Sequence, residues 1–259
     1  MKLGISLFLA YILLLAPHTL ASQIQLENGV DLSETTKGQL SVKQLIDNVF
    51  QFTSYFHTQD YGFVSANGLV VIDDTDAYMI DTPWTETDTI KLVSWIKEQG
   101  FELKASVSTH SHDDRSAGIG YLNSIKVDTY VSELTNSLLK ADNKALAKHA
   151  FSGDSLYLAN NLIEVRYFGA GHTQDNLVVW LPQSKLLYGG CLIKSQRSQS
   201  MGYIAEASLA EWPNTIDKAK SRYNDAVIVV PGHGRNGGLE ILDHTQALIA
   251  EEVKNNQLK

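Results

Sequence analysis

The chain has 259 residues, 44% of them apolar, and carries a net charge of −8 at pH 7. That acidic balance argues against nucleic acid as a partner, because a phosphate backbone is bound through clustered Lys and Arg. The length is ample for a large buried core.

The first 21 residues read as a cleaved secretory signal. Lys2 supplies a positive start, Leu7 to Ala16 form an apolar run, and Thr19-Leu20-Ala21 resembles a small-residue cleavage site. The alternative is a membrane anchor, but a spanning helix needs roughly 20 apolar residues. Export to the periplasm without stable membrane association is therefore expected, with residues 22–259 as a single domain.

Leu69 to Ile72 and Tyr78 to Ile80 are predicted as paired strands around the turn Asp73-Asp74-Thr75-Asp76. Thr85 or Thr87 can cap a helix to about Gln99, with Ile90, Val93 and Ile96 as its apolar stripe and Gly100 as its stop. Leu103 to Ser108 reads as a strand, His110 to Arg115 as a polar turn, and Ser132 as the cap of a helix through Leu139. Lys144 to Ala150 reads as helical. Strands are predicted at Leu162 to Phe168, Leu177 to Leu181, Lys185 to Tyr188 and Ala226 to Val230, and helices at Leu209 to Tyr223 and Leu239 to Gln257. The alternation predicts an α/β protein with buried sheets.

Four short polar segments each follow a predicted strand: Thr109 to Arg115, Gly171-His172-Thr173, Gly190-Cys191 and Gly232-His233-Gly234. Strand ends are where α/β folds place ligands. Together these segments hold four of the eight histidines, the single cysteine and the carboxylate of Asp114. Imidazole nitrogen, thiolate sulfur and carboxylate oxygen are the zinc-binding atoms. In a tight loop the alternate side chains of His110-x-His112-x-Asp114 can converge on one point. Cys191 alone is open to three readings: a buried bystander, an intermolecular bridge or a functional thiol.

On these motifs the chain resembles the metallo-β-lactamases, in particular the subclass with two zinc ions and a cysteine ligand. The resemblance runs from about Leu40 to Leu248. It rests on the His-x-His-x-Asp-Arg loop and Gly171-His172-Thr173-Gln174-Asp175-Asn176. It rests also on Leu187 to Lys194, Ala210-Glu211-Trp212-Pro213 and Val230 to Gly234. It implies a four-layer αββα sandwich with two Zn²⁺ per chain. His110, His112 and His172 would hold the first ion, and Asp114, Cys191 and His233 the second.

The implied reaction is hydrolysis of the β-lactam amide of penicillins, cephalosporins and carbapenems by a zinc-bound hydroxide, which Asp114 orients. The partner is then a small anionic β-lactam, and a monomer is expected. Lys194 matches the position that pairs with the substrate carboxylate; the alternative is a solvated surface charge. Arg115 and Asp81 match positions beneath the metals, and each could equally form an ordinary buried salt bridge. The segment Phe56 to Asn67, with Tyr61, Gly62 and Phe63, matches a loop that covers substrate, or is a plain hairpin turn. Tyr203 stands where many members carry an asparagine that helps at the substrate carbonyl. Rival readings are a thioester or lactone hydrolase of the same fold, and a zinc-binding protein without catalysis. The first usually carries a histidine where this chain has Arg115.

Overall fold

The computed structural model describes residues 38–257; the expected signal at residues 1–21 lies outside them. The first sheet runs in the order β1 (Ser41–Ile46), β2 (Val49–Thr58), β3 (Gly62–Asp73), β4 (Asp76–Ile80), β5 (Glu102–Val107), β6 (Asp128–Ser132) and β7 (His149–Phe151). β1 to β4 pair antiparallel, and β4 to β7 pair parallel. The second sheet has the order β12 (Ile228–Pro231), β11 (Leu186–Gly190), β10 (Leu177–Leu181), β9 (Ile163–Tyr167) and β8 (Ser155–Leu158). Only its β11–β12 pair is parallel.

Successive side chains of a strand face opposite ways. Leu69 and Val71 of β3 pack with Leu177, Val179 and Leu181 of β10 in the core between the sheets. Their neighbours Val70 and Ile72 face outward onto α1 (Glu86–Glu98) and α3 (Ile119–Ser124), through Leu92, Ile96 and Leu122. On the far side, Val178 and Trp180 face Trp212 and Ile216 of α5 (Trp212–Arg222) and Ile241 and Ile249 of α6 (Glu240–Gln257). The central strands are buried on both faces, which is why Leu69 to Ile72 of β3 and the whole of β10 read as unbroken apolar runs. The result is the expected αββα sandwich.

Two expectations change. Lys144 to Ala150 is not a helix. It is an extended return to the sheet edge that ends in β7, and side chains take its backbone amides: Ala147 N donates to Asn136 Oδ1 and Lys148 N to Thr129 Oγ1. In α1, Thr85 is the cap, accepting from Asp88 N. The buried face, however, is Asp88, Thr89, Leu92 and Ile96, and Ile90 points to solvent. Ser132 caps α4 (Glu133–Ala141) as expected. The Phe56 to Asn67 segment is an antiparallel hairpin of β2 and β3, with its turn at residues 59–61. Among the described residues no helix is long and apolar enough to cross a membrane.

Candidate metal centre

The ends of β5, β9, β11 and β12 meet at one edge of the sandwich. They bring together residues separated by up to 123 positions, from His110 to His233. His110 Nε2 lies 3.2 Å from His112 Nδ1. The His110, His112 and His172 rings stand nearly perpendicular to one another, with centroids 4.8–5.2 Å apart. Beside them is a second triad. Cys191 Sγ is 3.4 Å from Asp114 Oδ2 and 3.2 Å from His233 Nε2, and His233 Nε2 is 3.3 Å from Asp114 Oδ2. The two groups abut where His110 Nε2 comes within 4.0 Å of Asp114 Oδ1.

These separations fit a tetrahedral ion. Zinc at about 2.0–2.3 Å from each donor sets neighbouring donors about 3.3–3.8 Å apart. Protonation states fit as well. Burial, then His112, pushes His110 well below its ordinary pKa, and burial, then Lys194, does the same to His172, so both offer neutral lone pairs. His233 Nδ1 is bonded to the Ser65 carbonyl, which turns Nε2 toward Cys191 and Asp114. Burial opposes charge on His233, but Cys191 and Asp114 outweigh it and raise its pKa to about 9. A dication held here would take the place of that proton. Burial also opposes charge on Asp114, yet Arg115 and His233 hold it well below the usual carboxylate range.

Beneath the donors lies a buried polar layer. Arg115 Nη2 donates to Cys191 Sγ at 3.1 Å and to the Gly232 carbonyl at 2.9 Å, and pairs with Asp114 Oδ2 at 2.8 Å. Its Nη1 reaches Tyr188 Oη at 2.8 Å and Asp81 Oδ2 at 3.3 Å. Asp81 accepts from Thr109 N at 2.6 Å and so fixes the residue before His110. Asp81 sits at φ +61°, a left-handed conformation uncommon for a residue with a Cβ. Arg115 and Asp81 thus form a buried salt bridge directly beneath the candidate donors. Three contributors escape the sequence reading: Tyr188, Asn67 and Glu206. Tyr188 lies three residues before Cys191 inside a recognised motif, a signal that could have found it. Asn67-Gly68 looks like a turn dipeptide, yet it sits in mid-strand, where a Cβ on Gly68 would meet the Phe52 ring at 2.1 Å.

A groove of about 580 Å³ opens over the donors, lined by Tyr61, Val64, Trp84, Lys194, Met201 and Tyr203 among others. Lys194 Nζ lies 5.5 Å from the Trp212 ring and has no ion pair among the described residues, and burial lowers its pKa. Tyr203 stands edge-on to His112 at 5.8 Å, and its hydroxyl donates to Glu206 Oε1 at 3.3 Å. The other oxygen of Glu206 lies 3.2 Å from His112 Nε2.

A metal-binding edge on an αββα sandwich defines a class of metallohydrolase. The chain belongs to the metallo-beta-lactamase superfamily, whose pattern matches residues 61–233. It is 47% identical over 218 residues to a metallo-beta-lactamase type 2 of Pseudomonas aeruginosa, covering 84% of this chain and 87% of that one. A metallo-beta-lactamase type 2 of Bacteroides fragilis is 36% identical, covering 83% and 88%. The crystal structure of DIM-1 metallo-beta-lactamase exposed to ceftazidime superposes with a TM-score of 0.82 at 46% identity, covering 84% of this chain and 99% of that one.

Proposed function

We propose that this chain is a zinc-dependent β-lactamase that opens the amide ring of penicillins, cephalosporins and carbapenems and so confers resistance. One observation carries the reading: two abutting triads of zinc donors lie under a groove whose edge carries Lys194, which has no ion pair among the described residues. The first ion belongs to His110, His112 and His172, and the second to Asp114, Cys191 and His233. Zinc held there supplies a Lewis acid and brings the pKa of a water to about 7.

The chain's own residues do the rest. Lys194 binds the substrate carboxylate. Tyr61, Val64, Trp84 and Met201 cover the apolar part of the substrate and exclude bulk water. Arg115 holds Asp114 Oδ2, which leaves Oδ1 to accept a hydrogen bond from the attacking water and aim it. Tyr203 is engaged with Glu206, so it lines the groove beside His112 rather than standing in for a free amide. Arg115 is turned under Cys191 and Asp81, which counts against the thioester and lactone hydrolases that place a metal-binding histidine there. Lys194 and the groove count against a zinc store, which has no need of a substrate anchor. The N-terminal signal pattern supports export of the protein to the periplasm, and a monomer is the proposed state.

The test is a hydrolysis panel across the three β-lactam classes, run with added zinc and after chelation. Turnover lost on chelation and restored by zinc is expected. Protein carrying two bound zinc ions that turned over no β-lactam would overturn the proposal.

A further inference from the structure

We infer that the Asn67 side chain is a positioning group of the second triad, holding the loop that carries His233 in place against Asp114 and Cys191; this rests on reading those three as metal ligands. Asn67 lies in the middle of β3, is 2% exposed, and has every polar atom engaged. Its side-chain Nδ2 donates to the Pro231 carbonyl at 3.0 Å and to the Gly234 carbonyl at 2.8 Å. Its backbone N donates to the Gly232 carbonyl at 2.8 Å. The strand therefore grips the His233 loop on both sides of the histidine, and Ser65, two residues along β3, takes the ring's Nδ1 hydrogen.

On its other side, the Asn67 backbone carbonyl accepts from Arg115 Nη1 and shares the one hydroxyl hydrogen of Tyr188 with Asp81 Oδ2, each oxygen 2.6 Å from Tyr188 Oη. Arg115 is the residue that touches both Asp114 and Cys191. The side-chain amide thus holds the loop that carries His233, while Asp114 and Cys191 are reached through the backbone carbonyl and Arg115, a link that any residue at this position keeps. Gly232 closes the assembly, since a Cβ there would meet Cys191 N at 2.7 Å and Arg115 Nη2 at 2.8 Å. The amide's orientation is fixed chemically. Two carbonyls on one side require the NH₂ group, and Thr53 Oγ1 donates to Oδ1 at 3.0 Å on the other. Among the described residues no bond of the Asn67 side chain reaches the loops of His110, His112 or His172, so the effect of removing it is confined to one triad.

The experiment titrates metal-free protein with Co²⁺, reading the thiolate-to-cobalt charge-transfer band for the second site, and with Zn²⁺ against a chromophoric chelator for both sites. Asn67→Ala is expected to weaken the second ion by about 10- to 100-fold, the usual cost of removing a residue that supports a ligand, with first-ion affinity unchanged. Thr53→Val, which leaves the amide but not its orienting donor, should shift the same affinity less, and it decides the matter if Asn67→Ala does not fold. A folded variant that loses both ions equally, or neither, overturns the inference. Cys191→Ser in parallel separates the two levels. If it keeps the second ion, the ligand reading falls and this inference with it. If it loses that ion while Asn67→Ala does not, only the role of Asn67 falls.

Discussion

Arg115 Nη2 sits 3.1 Å from Cys191 Sγ with both side chains fully enclosed, so a guanidinium underlies the single thiol of the chain. An unpaired thiol in an oxidising compartment is a liability unless something claims it. A zinc ion bound at the second triad would claim it as a ligand. Removing Arg115 strands Asp81, Asp114 and the Tyr188 hydroxyl at once, since all three lean on it. Breaking a buried pair by deleting one partner costs about 3–5 kcal/mol. Arg115→Met is expected to lose that much in urea unfolding, and Arg115→Lys part of it, because an ammonium cannot reproduce the fork. A folded Arg115→Met of wild-type stability would show that the layer bears little load.

Cys191→Ser tests the thiol directly. Serine is a poor zinc ligand at neutral pH, and Sγ is one corner of a triangle with sides of 3.2–3.4 Å. Metal analysis after gel filtration is expected to give one zinc per chain instead of two, with most activity lost. Unchanged stoichiometry and turnover would remove Cys191 from the centre.

Asp81 makes a prediction about pH. Burial drives its pKa up from 3.8 to about 6, against the pull of Arg115 and Tyr188. Below about pH 4 the carboxyl is protonated in both folded and unfolded chains, and its contribution is complete. Between about 4 and 6 the unfolded chain releases the proton while the fold keeps it, so stability falls as pH rises through the folded value. Two pKa units correspond to about 3 kcal/mol. Measured metal-free, the stability of wild type relative to Asp81→Asn should decline by roughly that much from pH 4 to 7. A difference independent of pH would mean that the carboxyl is ionised throughout.

The sandwich was legible where burial on both faces made a run wholly apolar, as in Leu69 to Ile72 of β3 and in β10, and illegible where polar side chains are buried for a reason. β2 escapes notice because Gln51 and Ser54 interrupt it. Both are enclosed and bonded, Gln51 to Asn236 and Ser54 to the Trp84 amide. β1 is half-exposed, and its mixed residues carry no clear period. At the centre, glycine-flanked histidines at strand ends announce themselves. Asn67 and Glu206 do not, because their partners lie 164 and 94 residues away and nothing in their own neighbourhood encodes the meeting.

Lys194 gives the most direct test of substrate contact. Its ammonium lies at the groove wall, without an acidic partner among the described residues, and burial already lowers its pKa, so the site bears a cost for keeping it charged. A bound carboxylate relieves that cost. A hydrogen bond to a charged partner contributes about 1.5–3 kcal/mol, or about 10- to 100-fold in affinity. The contact exists before and throughout ring opening, so its loss falls on ground-state and transition-state binding alike. Lys194→Ala is therefore expected to raise KM by about one to two powers of ten at nearly constant kcat, and Lys194→Arg should recover part of the loss. The effect should vanish for a β-lactam whose carboxylate is esterified, since that substrate has nothing to offer the ammonium. If the ester and the free acid lose equally in the alanine variant, the lysine supports the groove wall and does not bind the anion.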